Sequence, residues 1–469
     1  MPHRSFWLQQ SLAGETGVDA TRKIATPSLT GDTRADVAII GGGYVGLWTA
    51  LRIKELSPSC DVVILERDIC GGGASGRNGG FVLSWWPKFS SMLKAFGDDE
   101  ALRLVRMSET AISEIGDFCA YNFIEAEFVQ RGWLWTATSQ AQIGAWDAVV
   151  ELSERLGENA FERLQPAEVA KRTGSPAHLA GVLERCAATV QPAALARGMR
   201  RVALQRGVRI YEQSEVTRFT RETPAVFQTA QGGLTAERAV IATNAWAVAL
   251  PELRRSLAVI SSDIVATGPI PDRLAQIGWT GREAIADAQT MVCYYRTTAD
   301  GRIAFGKGGW GIVFGGNIGP NMDRDAARAK LVEDDFRRYY PMLADVPIEQ
   351  DWCGPIDRSP DGLPLIGKLG GHPNIFYGVG WSGNGVGPSF VGGRILASLA
   401  LGRKDKWSQC GLVDRSHKLF PPEPIRYVGA HLVREAVLRK ERSQMAGRRP
   451  PWLAVQIAKL APAGIEDKE

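Results

Sequence analysis

The chain is short of what metal sites and disulfide frameworks need. Its seven cysteines (60, 70, 119, 186, 293, 353 and 410) are odd in number and never fall in a CxxC spacing, which excludes a zinc ribbon and argues for reduced thiols. Only five histidines occur among 469 residues, dispersed and without an HExxH pair, so no metal-ligand set is expected. No apolar run approaches the roughly 20 residues of a spanning helix, and the opening MPHRSFWLQQ lacks the apolar stretch of a signal peptide. These absences predict a cytoplasmic protein with no integral membrane segment. A formal net charge of +4, dispersed except near the C-terminus, gives no nucleic-acid footprint.

What remains is the composition of a folded enzyme, with 45% hydrophobic and 23% charged residues, and enough length for two or three structural units. The first informative segment is Asp36 to Ile40 (DVAII), an apolar run that suits a buried parallel strand. It is followed by Gly41-Gly42-Gly43-Tyr44-Val45-Gly46 and then by LWTALRIKEL, with apolar residues at helical spacing. Gly41 permits a tight turn, Gly43 lets backbone approach a pyrophosphate, and Gly46 lets helix and strand pack closely. The helix N-terminus, with Tyr44 and Val45, then offers N–H groups to the phosphates. A second strand, Val62 to Leu65, ends at Glu66, placed about 20 residues beyond the last glycine to accept ribose hydroxyls. A chance glycine turn is the plain alternative, weakened by strand, helix and acid standing in register. On these residues alone the dinucleotide is either NAD or FAD.

After Glu66 comes Arg67-Asp68 and then Gly71-Gly72-Gly73-Ala74-Ser75-Gly76-Arg77-Asn78-Gly79-Gly80, a stretch with many backbone donors. It resembles the GASxRNGG segment of the D-amino-acid oxidase superfamily of flavoproteins. A second match runs from Trp352 to Gly367 (WCGPIDRSPDGLPLIG), and a third is Ile375-Phe376-Tyr377-Gly378-Val379-Gly380-Trp381-Ser382-Gly383-Asn384-Gly385-Val386 before SFVGGRILASLALG. Gly207 to Val216 is similar to the family strand that meets the adenine, and Ala239 to Trp246, with Thr243 and Asn244, to the strand closing over the dinucleotide. Within the superfamily the chain most resembles the γ-glutamylputrescine oxidase and aminophosphonate oxidoreductase branch.

The resemblance implies an α/β fold: a Rossmann-like FAD-binding domain from discontinuous segments (34–84, 181–250 and 351–405) and a mixed-sheet substrate domain (85–180 and 251–350). An N-terminal arm (1–33), in which Phe6, Trp7 and Leu8 could anchor, and a C-terminal helical extension (406–469) flank them. It also implies that an amine loses hydride to the flavin and that water hydrolyses the imine, with dioxygen as acceptor. The rivals are a dehydrogenase feeding a quinone or protein, and a non-catalytic flavin-binding subunit. Many family members place an arginine where Ile356 stands, so a simple α-amino acid is disfavoured unless Arg358 or another cation compensates from a different direction. Lys307, Trp381 and Asn384 are expected to serve catalysis; Trp85, Trp86, Lys88, Tyr295 and Arg358 are expected to meet substrate. Relatives that attach flavin covalently have their cysteine at the position of Gly354, so Cys353 is expected to be a buried thiol and the FAD non-covalent. The basic helix HLVREAVLRKERSQMAGRRPPW is expected to pack as a solvated helix on the flavin domain rather than to touch an anionic membrane.

Overall fold

A computed structural model describes residues 3–17 and 26–462. Two eight-stranded sheets organise it. The first is wound around Gly31–Ile40, which pairs in parallel with Val62–Leu65 on one side and with Gly232–Ile241 on the other, so that Ile40 lies level with Leu65 and Ile241. Ile375–Val379 continues the parallel order and Arg209–Tyr211 closes the other edge. Parallel strands covered on both faces must be apolar throughout. Val62 to Leu65 and Val37 to Ile40 are accordingly all buried.

Helix Tyr44–Leu56 covers one face together with helix Pro388–Ala400. They approach so closely that a Cβ on Gly393 would lie 2.4 Å from the Cβ of Trp48. Glycine is therefore fixed at that crossing.

The second sheet is mixed and runs Ile348–Arg358, Ala258–Thr267, Ile303–Ile312, Cys293–Thr297, Ala284–Asp287, Trp133–Ala137, Ala180–Glu184 and Phe161–Leu164. Helix Ala326–Tyr339 packs on it, over an aromatic cluster that includes Tyr295, Phe305, Phe336 and Tyr340. Two expected domain limits cut through this sheet. Ile348–Arg358 pairs along its length with Ala258–Thr267, and Ala180–Glu184 with Trp133–Ala137, so the second sheet takes strands from segments expected in the flavin domain at 351–405 and 181–250. In the other direction, helix Asp98–Tyr121 packs against Pro388–Ala400, with Phe118 4.7 Å from Trp48 and Glu114 ion-paired to Arg394.

Helix Phe6–Gly17 docks by burying Trp7 and Leu8, the former edge-on to Trp352 at 5.9 Å. At the other end, helices Ile425–Met445 and Trp452–Ala458 form a hairpin. Its inner residues Val437, Leu438 and Ala458 pack with Met291 and Trp310. The expected seat of the basic helix on the flavin domain is thus corrected, since these contacts are with the second sheet and the turn before Cys293. Among the described residues, no helix is long and apolar enough to cross a membrane.

Candidate functional site

A single cavity of about 830 Å³ runs from the glycine turn after Gly31–Ile40 to the second sheet. Every residue expected to hold cofactor lines it, with three exceptions: Gly46, Gly80 and Gly380. The three act from behind. A Cβ on Gly46 would sit 2.0 Å from the carbonyl oxygen of Gly41, and one on Gly80 2.1 Å from that of Val190, so both positions pack backbone on backbone. Gly380 instead donates its N–H to Asp357 at 2.6 Å.

At the dinucleotide end, Glu66 accepts from the N–H groups of Gly42 (2.7 Å) and Asp68 (2.8 Å), while burial raises its pKa. The Ser75 hydroxyl oxygen accepts from Tyr44 N–H at 2.9 Å, at the first turn of helix Tyr44–Leu56. Its own hydrogen remains to donate, which suits an anion there. Arg67 stacks over Trp246 at 4.3 Å and closes one side.

The expected residues Arg77 and Asn78 line the cavity but spend their side chains on the loop itself. Arg77 donates to the carbonyls of Gly72, Cys353 and His3 and pairs with Asp323. Asn78 donates to the carbonyls of Ala74 and Ser75 and accepts from Gly80 N–H. Both hold the loop's shape so that its backbone can face a ligand.

At the far end, Trp381, Ser382, Asn384 and the start of helix Pro388–Ala400 enclose the cavity. Ser382 has φ +55, and Asp357 fixes this bend by accepting from Gly380 and from Trp381 (3.1 Å). Burial lifts the Asp357 carboxyl to about 7 despite these donors. Asp357 is not among the residues expected from the sequence; its position inside the match from Trp352 to Gly367 is the available signal.

The substrate-side expectations divide. Tyr294, not Tyr295, lines the cavity, because neighbours on a strand face opposite ways. The Tyr294 ring lies across Gly306, where a Cβ would meet it at 2.3 Å, and its hydroxyl pairs with Ser262 at 2.5 Å. Tyr295 stacks on Phe305 at 4.7 Å and meets His178 on the opposite face. Lys307 is level with Cys293, hence on Tyr295's face, and is ion-paired with Asp335 at 2.9 Å. It does not line the cavity, so its expected catalytic role has no geometric basis.

Trp85, Trp86 and Lys88 form no wall either. All three are buried away from the cavity, with the indole N–H of Trp86 given to Glu109 at 2.7 Å, because the turn at Trp86–Lys88 leads into the helices that follow. Arg358 does line the cavity and donates to the carbonyl of Pro462 at 3.3 Å. Cys353 does not; its thiol lies by Arg328 and the Asn321 carbonyl, and burial raises it to about 12.

The buried atoms Asn244 Oδ1, Trp246 Nε1, Trp381 Nε1 and Asn384 Oδ1 of cavity-lining residues have no hydrogen-bond partner among the described residues. Leaving such groups unpaired costs about 1–3 kcal/mol each. An elongated ligand with polar groups at both ends, as FAD has, answers that pattern, and the glycine cradle fits it.

Comparison with known proteins agrees. The chain is 29% identical to γ-glutamylputrescine oxidoreductase of Escherichia coli (strain K12), over 82% of this chain and 88% of that one. It is 26% identical to a probable oxidoreductase OrdL of Haemophilus influenzae, over 81% and 86%. The crystal structure of glycine oxidase from Geobacillus kaustophilus superposes with a TM-score of 0.68 at 20% identity, covering 82% of this chain and 99% of that one. The family model for FAD dependent oxidoreductases (DAO) matches residues 36–399, and the chain belongs to this family of FAD-dependent enzymes.

Proposed function

We propose that the enzyme oxidises the C–N bond of a small primary or secondary amine, an aminophosphonate or polyamine derivative, using non-covalent FAD and dioxygen. The observation that carries this reading is the composition of the cavity's far end. Phe81, Val292 and Ile356 supply apolar surface there, Tyr294 and Ser262 a hydroxyl pair, and Arg358 a guanidinium at the strand end. FAD, when bound, supplies the hydride acceptor and so the difficult chemistry.

The chain's own residues orient and enclose. The Tyr294 hydroxyl, buried and with its pKa raised by that burial, stays protonated and can donate or accept at a substrate amine. Backbone N–H groups of Gly383, Gly385 and Val386 and the start of Pro388–Ala400 would present positive potential to the negative charge of a reduced flavin, while the Asn384 N–H is given to the Trp381 carbonyl at 3.0 Å and holds the loop. Ile356 offers no grip on an α-carboxylate, whereas Arg358 can pair with a more distant phosphonate or carboxylate. The seclusion of Cys353 from the cavity supports non-covalent FAD.

The test is anaerobic mixing of the flavin-loaded enzyme with aminophosphonates, N-alkylglycines, polyamines and γ-glutamylputrescine while following flavin absorbance. Bleaching by the phosphonate or polyamine class, and not by glycine or sarcosine, is expected. Failure of every amine to bleach would end the proposal, and slow reoxidation by dioxygen would replace the oxidase by a dehydrogenase.

A further inference from the structure

The C-terminal hairpin lies beyond the family match, which ends at residue 399. Its inner side is fully employed: Val437 and Leu438 pack on Met291, Glu441 accepts from the Met291 N–H at 3.1 Å, and Arg434 donates to the Trp310 carbonyl at 2.8 Å. The outer side is not. On Ile425–Met445 the exposed residues Ile425, Val428, Leu432, Glu435, Arg439 and Arg442 recur every three or four positions and so form one stripe, apolar in its first half and basic in its second.

The stripe continues into the connection and the second helix. Arg448 and Arg449 are exposed in the turn and share a surface concavity with Arg439, Arg442 and Pro451. Glu435 is in the same concavity but is ion-paired with Arg434, and no ion pair joins the four arginines to a carboxylate among the described residues. Next comes Trp452, 73% exposed, with Leu453 at 61% and Leu460 at 73%, while Ala454 and Ala458 face inward. Trp452–Ala458 therefore turns Trp452 and Leu453 to solvent, leaves Val455 and Ile457 half-buried and gives only the small Ala454 and Ala458 to the protein, unlike a helix that only packs on a soluble core.

Residues 424–469 hold nine Lys and Arg against five Asp and Glu, which is the whole of the chain's formal net charge of +4. Exposed Trp and Leu beside clustered arginines match the two layers of a bilayer surface: acyl boundary for the apolar side chains, anionic headgroups for the guanidinium groups. We propose that the outer face of this hairpin docks the enzyme on an anionic lipid surface without spanning it. Because Arg358, on the cavity lining, donates to Pro462 just past the second helix, the docked element adjoins the cavity rim.

The experiment is co-sedimentation of the full-length, flavin-loaded protein, acidic tail included, with vesicles of phosphatidylcholine alone and vesicles rich in phosphatidylglycerol. Partitioning onto the anionic vesicles is expected to be about tenfold stronger and to weaken with salt. The double variant Arg448→Glu/Arg449→Glu should abolish the anionic preference. Trp452→Ser/Leu453→Ser should weaken binding about tenfold, with the flavin spectrum unchanged in both. Equal or no partitioning on the two vesicle types would overturn the proposal. So would a dimer in sedimentation velocity that Trp452→Ser/Leu453→Ser converts to monomer, since a second copy would then cover the face. None of these readouts depends on the amine substrate.

Discussion

At the dinucleotide end of the cavity the chain presents backbone; at the substrate end it presents side chains from alternating strand positions. The first region depends on where atoms are missing. Gly41, Gly43 and the glycines after Arg67 leave room for a ligand, and even the polar side chains there, Arg77 and Asn78, work by shaping the loop. The second depends on which way a strand residue faces, so that Tyr294 serves the cavity and its neighbour Tyr295 the core. A region built from backbone tolerates almost no addition, whereas one built from side chains can be retuned one residue at a time.

The largest effect expected from breaking that contrast is at Gly41. Its φ of +114 lies where a side chain is strained, and a Cβ would stand 2.5 Å from the Ala242 carbonyl oxygen. Gly41→Ala is expected to weaken FAD binding about a hundredfold, which corresponds to about 2.7 kcal/mol. Titration of apoprotein with FAD measures it. Wild-type affinity in this variant would mean that the turn can rearrange and that the cradle is less rigid than its contacts indicate.

The same contrast explains what the sequence disclosed. Glycine motifs are legible because few residue types can replace glycine where backbone must pass backbone, so Gly41 to Gly46 and Gly71 to Gly80 announce their turns in one dimension. The parallel strand Val62–Leu65 is legible because it is buried on both faces and reads as an unbroken apolar run. Lys307 and Tyr295 were not legible. Each sits on a strand of the right sheet, but the face it takes is set by register with the neighbouring strand, here Cys293 opposite Lys307. Trp85 and Trp86 misled for a related reason: aromatic size signals burial but not which cavity or core receives it. Asp357 is not legible in the sequence because its partners are the N–H groups of Gly380 and Trp381, distant along the chain.

A smaller effect sharpens the comparison within the substrate end. Tyr294→Phe removes a hydroxyl that lines the cavity and is expected to lower kcat/KM about tenfold with FAD retained, a loss of about 1.4 kcal/mol. Tyr295→Phe leaves His178 without its hydroxyl partner in the core and is expected to cost about 1–3 kcal/mol of stability at unchanged kcat/KM. Steady-state kinetics and denaturant unfolding of the two variants separate the roles. Exchange of the two phenotypes would reverse the strand's assigned faces.

The smallest expected effect concerns Asp357, which ties strand Ile348–Arg358 to the loop at Gly380. Burial raises its carboxyl to about 7, so the folded chain holds a proton that the unfolded chain releases in the ordinary carboxylate range. A raised folded pKa contributes stability that is complete below the unfolded value and is lost as pH rises through the folded one. Apoprotein Tm is therefore expected to fall between the ordinary carboxylate range and about pH 7 by more in the wild type than in Asp357→Asn, and to run parallel above it. Curves that stay parallel throughout would show that the N–H donors of Gly380 and Trp381 already hold Asp357 ionised. The loop would then carry a negative charge beside the cavity, and the positive potential assigned to the start of Pro388–Ala400 would have to exceed it to favour reduced flavin.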